Sequence, residues 1–329
     1  MTSLSSIELT VVIPTYNRRK WLKRCVACLL PQLIQNVEVI ILDNCSDEPV
    51  AGYLNDSRIK VIRNPVNIGA VGNFLRAFEV GKGKWIWIMG DDDQPQIDGV
   101  FKAMETIRTY ADANHIYFSN HMGPIHETGI SCGVEDFCQL FKPEYFGGRL
   151  WVSSQLFNLT KAKPMLRYAY AYPGSSPHMS IALLQVEAGQ IIFCPDEIAI
   201  HHEPPGEEQW NPHSIYSQMP QFSLLPVPKR LRRHIAEGLS KWYHTYYSHF
   251  LEVVKLRYLD TQDAEDITLI FEFRWHAIIS LFNDNKLMRD HIETCEKLRN
   301  RSFIEEIILT IPEEQRQPFR NGELVGTIR

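Results

Sequence analysis

No run of eighteen apolar residues occurs in the 329-residue chain, so no segment is expected to cross a membrane as a helix. A signal-like leader is also missing, because Ser3 to Thr10 is polar; a cytoplasmic location is the expectation. Cys25 and Cys28 form a lone C-x-x-C, and the rest of the seven cysteines are scattered. That argues against structural zinc and for reduced, mostly buried thiols. Positive charge is not in excess: the net charge of −5 argues against a general nucleic-acid binder. Internal repeats and low-complexity tracts are lacking. What remains is a chain with 44% hydrophobic and 11% aromatic residues, ample for the core of one large domain or two.

Strand-like runs alternate with helical patterns from the start. Leu9–Ile13, Val37–Leu42, Ile59–Ile62, Trp85–Met89 and Ile116–Ser119 read as strands. Trp21–Ile34, Gly69–Gly81 and Asp98–Tyr110 have helical periodicity. Such alternation predicts an α/β fold, a mostly parallel sheet flanked by helices, with ligands beyond the carboxyl ends of the strands. After Pro220, Pro226 and Pro228 the pattern changes. Leu231, Ile235, Leu239, Trp242, Tyr246, Phe250 and Val253 describe a long amphipathic helix, and Ile267 to Phe282, Leu287 to Leu298 and Phe303 to Leu309 describe further ones. The expected division is therefore 1–222 for the α/β domain and 223–329 for an all-helical region.

Asp91-Asp92-Asp93 closes the apolar run Trp85-Ile-Trp-Ile-Met-Gly90. Packing gives no reason to deliver three consecutive carboxylates to a strand end, since each raises its neighbours' pKa unless a cation neutralises them. Hard divalent ions take such oxygen ligands and share them with phosphates. An acidic loop or a helix N-cap is the competing reading. Asp43, after the second strand, falls on the same sheet edge, where it could accept a hydrogen bond from a nucleobase N–H or simply cap a turn.

Several segments, in order, resemble the family-2 glycosyltransferases, which have a Rossmann-like nucleotide-sugar-binding fold called GT-A. They are Thr10-Val-Val-Ile-Pro-Thr-Tyr-Asn17-Arg18, Ile41-Leu-Asp43-Asn44-Cys-Ser46-Asp47, Asn67-Ile-Gly69 with Asn73, Ala77 and Gly81, and the Trp-Ile-Met-Gly-Asp-Asp-Asp segment. The resemblance is strong over roughly residues 8 to 105, weaker to about 205, and looks closest to members that build bacterial O-antigens and related surface polysaccharides. It implies an inverting glycosyltransferase that moves a sugar from a UDP- or dTDP-sugar to a saccharide or lipid-linked saccharide acceptor. It also implies donor-binding roles for Pro14, Thr15, Tyr16, Asn17, Arg18, Asp43, Asn44, Asn67, Gly69, Asn73, Arg76, Asp91 and Asp92. The implied metal is Mn²⁺ or Mg²⁺, held by Asp92 as the most direct ligand with Asp93, and by His201 or His202 as a later histidine. Carboxylates and phosphate do not discriminate between the two ions.

Inverting transfer needs a base for the acceptor hydroxyl, and the family usually supplies an Asp at a helix start about eleven residues before a Gly. Here His178 occupies that position in Ser176-Pro177-His178 to Gly189. Its ordinary pKa near 6.5 suits a base at neutral pH. A helix-start histidine bound to acceptor or backbone is the competing reading, with Asp196, Glu203 and Glu187 as spare carboxylates. Glu203 to Trp210 is expected to cover the donor as a lid. Lys229-Arg230-Leu-Arg232-Arg233, with Trp242, Tyr243, Tyr246 and Tyr247 downstream, suits either a helical bundle or homo-oligomer contact, or peripheral docking at the inner face of the cytoplasmic membrane. Two other classes fit less well. A sugar-nucleotide nucleotidyltransferase would carry a glycine-rich loop where Pro14 to Asn17 stands; a catalytically degenerate nucleotide-sugar-binding module would not need the three aspartates.

Overall fold

The structure is a computed structural model that describes residues 7–120, 126–146, 151–172, 174, 176–202 and 219–245, together with 289, 292, 293 and 296. The Glu203–Trp210 lid segment and the helical patterns predicted beyond Thr245 lie outside the described residues, as do the side chains of Trp242 and Tyr243.

Strands β1 (Leu9–Thr15), β2 (Val37–Asp43), β3 (Ile59–Arg63) and β4 (Trp85–Ile88) fall where the apolar runs predict them. Helices α2 (Gly69–Val80) and α3 (Gly99–Thr109) do so too, while α1 (Arg19–Leu29) starts two residues before its expected span and ends five residues short of Ile34. The chain continues through β5 (Gln94–Pro95), β6 (His115–Tyr117), β7 (Gly129–Ser131) and α4 (Val134–Leu140). Then come β8 (Gln155–Asn158), α5 (Leu159–Ala162), α6 (Leu166–Ala171), α7 (Pro177–Leu184), β9 (Ile191–Phe193), β10 (Ala199–Ile200) and α8 (Lys229–Thr245).

Eight strands form one sheet in the order β3-β2-β1-β4-β8-β6-β9-β7, while β5 and β10 pair as a separate antiparallel ribbon. β1 is parallel to both β2 and β4, and β2 to β3. β8 runs antiparallel between β4 and β6, which restores the direction of β6 and its parallel neighbour β9 to that of β4. This mostly parallel sheet is the predicted α/β fold. β8 escapes prediction because its four residues, Gln-Leu-Phe-Asn, are all buried and show no alternation.

Side-chain alternation explains why both faces are covered. Val12, Ile40, Leu42, Ile86 and Ile88 enter one core with Leu75 and Phe78 of α2 and with α7. Val11, Ile13, Val39, Ile41, Trp85 and Trp87 enter the other with Leu22, Val26 and Leu29 of α1 and Val100, Met104 and Ile107 of α3. Each large apolar side chain fully removed from water in this way contributes about 1.5–3 kcal/mol. Leu231, Ile235, Ala236 and Leu239 of α8 belong to the first core as well, packed with Phe141 and Phe146. The start of the 223–329 segment thus shares its core with the sheet.

Candidate active site

Parallel register sets the site. Thr15 of β1 lies opposite Asp43 of β2, and Asp43 opposite Arg63 of β3. β4 ends one step away, so Asp91, Asp92 and Asp93 emerge beside Thr15 at the same carboxyl edge. Pro14 and Thr15 are buried, and Thr15 Oγ1 donates to Asp91 Oδ2 at 2.6 Å. Tyr16 is half-buried. Asn17 is exposed, with a positive φ of 55° that asparagine tolerates. Its backbone N–H donates to Ser46 Oγ, and its side chain exchanges two hydrogen bonds with Asp47, which ties the β1 turn to the β2 loop.

All three aspartates are buried, and each is engaged differently. Arg18 Nη1 contacts Asp92 Oδ2 at 2.6 Å and Asp91 Oδ1 at 3.2 Å. Arg24 of α1, which sequence reading did not single out, donates to the Asp92 carbonyl while stacking on Trp21. Asp93 Oδ2 accepts from Trp151 Nε1 at 2.6 Å and Ser153 Oγ at 2.5 Å. Its Oδ1 lies 3.1 Å from His201 Nδ1 and accepts from the His202 amide at 3.2 Å. The β5–β10 ribbon brings that distant histidine pair alongside Asp93. His202 Nε2 lies instead against Gln94 Oε1 at 3.2 Å.

Charge accumulates here. Burial pushes the Asp91 carboxyl up to about 7; Arg18 opposes the rise and Asp92 adds to it. Burial, then repulsion from Asp93, raises Asp92, again against Arg18. Burial would lower the Arg18 pKa, but the two aspartates hold it above its ordinary value. Among the described residues no group of three or more His, Cys, Asp or Glu side chains stands as a ready-made metal cage. Arg18 pairs with two of the three carboxylates. The donor set nevertheless fits a hard divalent cation: three adjacent buried carboxylates, which the single Arg18 guanidinium offsets only in part, with an imidazole at the margin.

Asp43 has its own set of donors. Oδ1 accepts from the Ser46 amide at 2.8 Å, and Oδ2 from the Val50 amide at 3.3 Å and Arg63 Nη1 at 2.6 Å. Burial would raise its pKa; the Ser46 amide and hydroxyl, Arg63 and the Val50 amide outweigh that and hold it below the ordinary value. Beside it lies an asparagine cluster. Asn44 Nδ2 donates to Asn67 Oδ1, and Asn44 Oδ1 accepts from Asn64 Nδ2 and the Ile68 amide. Asn64 Nδ2 also donates to Asn73 Oδ1, and Asn73 Nδ2 donates to the Leu42 carbonyl. Gly69 opens α2 with φ +75°, a conformation that side chains resist. Four of the expected donor residues (Asn44, Asn67, Gly69 and Asn73) therefore meet at one loop, with Asn64 joining them.

Two expected residues sit apart from the aspartates. Arg76 lies two turns into α2, near enough to Tyr170 for its charge to oppose the rise that burial and Glu79 give that phenol. His178 sits in the first turn of α7, which begins with Pro177 at a favourable position. The residue is 3% exposed, and its ring lies 6.5 Å from that of Phe74. α7 immediately precedes β9, which is parallel to β6. Trp151, Ser153 and Arg63 carried no sequence signal. Each becomes visible only through its contact with an aspartate.

Residues 10–128 match the family described as Glycosyl transferase family 2. Abequosyltransferase RfbV of Salmonella typhimurium (strain LT2) is 31% identical over 113 residues, 32% of this chain and 33% of that protein. The UDP-Glc:alpha-D-GlcNAc-diphosphoundecaprenol beta-1,3-glucosyltransferase WfaP of Escherichia coli is 29% identical over 115 residues, 33% of this chain and 46% of that one. The chain thus spans less than half the length of these curated relatives. A crystal structure of S. aureus TarS 1-349 in complex with UDP-GlcNAc aligns with a TM-score of 0.61 at 14% identity, covering 97% of this chain and 93% of that one. Likeness at that identity is a likeness of fold. Residues 10–128 are thus similar to glycosyl transferase family 2, and the sheet that carries them has the GT-A fold.

Proposed function

We propose that the chain is a metal-dependent inverting glycosyltransferase that uses a UDP- or dTDP-sugar in bacterial surface-polysaccharide synthesis. The observation that carries this reading is the convergence of Asp43 with Asp91, Asp92 and Arg18 at one carboxyl edge. RfbV and WfaP are named for glycosyl transfer, WfaP for a UDP-linked donor and a diphosphoundecaprenol-linked acceptor. Those names support a saccharide or lipid-linked saccharide acceptor here. Among the described residues no helix is long and apolar enough to cross a membrane.

In this mechanism Asp43, with Arg63 beside it, meets the nucleobase, and the Asn44–Asn67–Asn73 cluster supports the loop around it. Asp91 faces the ribose. Asp92 and His201 would hold Mn²⁺ or Mg²⁺, which supplies Lewis-acid stabilisation of the diphosphate charge. Arg18, released from the carboxylates, is free to pair with phosphate oxygens. The acceptor hydroxyl oxygen forms the new bond to the sugar C1 as the C1–phosphate oxygen bond breaks from the opposite side. The nucleoside diphosphate leaves with that electron pair, and His178 takes the hydroxyl proton.

A panel of nucleotide sugars incubated with Mn²⁺ tests the reading. Slow hydrolysis of one donor, lost in Asp92→Ala, is the expected outcome. Binding without turnover, even with candidate acceptors present, would instead make the chain a nucleotide-sugar-binding module. His178→Ala should keep donor affinity and lose most transfer; unchanged turnover would move the base elsewhere.

A further inference from the structure

Residues 18–24 carry five basic side chains and no acidic one. They open α1, where the helix dipole already gathers positive charge, so helix stability asks for the opposite sign. Arg18 pairs with Asp91 and Asp92, Arg19 with Glu48, and Arg24 donates to the Asp92 carbonyl. Lys20 and Lys23 are exposed and form no ion pair among the described residues. Each lies over an aromatic ring instead, Trp21 at 5.2 Å and Tyr53 at 5.5 Å, which leaves the charge uncompensated. The basic run that opens α8 is spent differently: Arg230 pairs with Glu135, and Arg232 donates to the Leu225 and Val227 carbonyls.

Beside α1 the surface is apolar. α1 and α3 cover the same face of the sheet, and Gln32, just after α1, ties them together. Its Nε2 donates to the Gln96 carbonyl at 2.8 Å, and its Oε1 accepts from the Val100 amide at 3.1 Å. Between those two anchors Ile97 stands 92% exposed, and in the first turn of α3 Phe101 is 68% exposed. These are the two most exposed large apolar side chains among the described residues. Ile34, about half exposed, lines one open cleft with Phe101. Single exposed apolar residues are ordinary; three in one patch, two of them nearly bare, mark a contact surface. Lys102 pairs with Asp98 and Arg108 with Glu8, which leaves Glu105 of α3 outside any ion pair. Two lysines against one glutamate leave the combined face positive.

We propose that this α1–α3 face docks on a lipid bilayer surface that carries anionic headgroups: Ile97 and Phe101 enter the boundary between headgroups and acyl chains, while Lys20 and Lys23 meet the phosphates. Apolar tips flanked by uncompensated lysines suit that boundary, where lysine stems lie along apolar matter and the charged ends stay in water. A second copy of this chain fits the face less well, because a two-fold contact would bring two surfaces of the same net charge together. Ile97 follows Asp93 by four residues, so docking would hold the carboxyl edge close to the bilayer. The proposal does not rest on the glycosyl-transfer reading; a lipid-linked acceptor would give the docking a use.

Sedimentation of the full chain with vesicles, without donor, metal or acceptor, tests the docking. Vesicles that mix phosphatidylglycerol with phosphatidylcholine should take up the protein, and phosphatidylcholine alone should take up much less. Lys20→Gln/Lys23→Gln should weaken uptake about 25-fold, about fivefold for each charge. Ile97→Asp/Phe101→Asp should abolish it, and Lys229→Gln/Arg233→Gln should leave it near the wild type. All six positions are exposed, so the variants should fold, which circular dichroism checks. A wild type that stays off the mixed vesicles overturns the proposal. So does uptake unchanged in both variants of the α1–α3 face, or lost only in Lys229→Gln/Arg233→Gln. A wild type that ignores vesicles but forms a dimer, dissociated by Ile97→Asp/Phe101→Asp, would give the face to a second copy and overturn it too. Docking as expected, with no transfer from any nucleotide sugar, would uphold this proposal and sink the glycosyl-transfer reading alone.

Discussion

Arg18 Nη1 lies 2.6 Å from Asp92 Oδ2, on a carboxylate that the proposed divalent cation would also use. The guanidinium offsets part of the negative charge that burial makes costly. Removing it leaves two buried carboxylates without that cation. Arg18→Ala should therefore destabilise the metal-free protein by roughly 1–3 kcal/mol, below the cost of breaking a fully buried pair, because 19% of the Arg18 side chain is exposed. Mn²⁺ should then raise the melting temperature of Arg18→Ala more than that of the wild type. Equal increments in the two proteins would mean that arginine and metal do not compete.

Gly90 leaves no room for a side chain. A Cβ there would lie 2.8 Å from Asp93 Oδ2 and 2.9 Å from Asp92 Oδ1. Carboxylate oxygens often yield to such a contact, but Trp151 and Ser153 hold the Asp93 oxygen in place. Gly90→Ala should keep the fold and lower transfer roughly 100-fold, the scale at which small displacements of reacting groups are felt. Circular dichroism checks the first half and a radiolabelled transfer assay the second. Activity near that of the wild type would show that the aspartates need not stand where they do.

Asp43 and Arg63 form an ion pair at the carboxyl edge that contributes to folding. Replacing Asp43 with Asn removes the charge that Arg63 faces and one acceptor of the Ser46 and Val50 amides, at a cost of about 1–3 kcal/mol. The Asp43 pKa is lowered on folding, so its stabilisation is present above the ordinary value of 3.8 and lost as pH falls below it. In acid titrations followed by fluorescence, Asp43→Asn should lack that part of the wild-type loss, although it starts less stable. Identical acid profiles for the two proteins would place the pair outside the stability of the fold.

The parallel half of the sheet was legible because its strands are buried on both faces and its helices amphipathic; predicted and observed ends of β1 to β4 agree within two residues. Asp91 to Asp93 were legible because three like charges at a strand end have no packing rationale. The clamp around Asp93 was not. Trp151 and Ser153 are 58 and 60 residues away in sequence, beyond the residues of strong resemblance, and their role depends on an antiparallel insertion that periodicity does not reveal. Arg24 was hidden for a different reason: an arginine in a helix next to Lys23 reads as a solvated face until its carbonyl partner is seen.

His234 of α8 gives a pH dependence of the opposite kind of group. Its Nε2 lies 2.5 Å from the Phe141 carbonyl, so the neutral ring donates there, and its ring centroid is 6.3 Å from that of Phe141. Burial lowers its pKa from 6.5; the Phe141 carbonyl, Glu237 and Glu144 pull it back up, and Arg230 adds to the lowering. The folded pKa is below the unfolded one, so this group's stabilisation is complete above pH 6.5 and is lost as pH falls through the folded value. Amide exchange in residues 229–239, where α8 joins the core, should accelerate between pH 7.5 and 5.5 after correction for intrinsic rates. His234→Gln, which retains a donor without a titrating ring, should flatten that response. An acceleration of the same size in His234→Gln would assign it to another group.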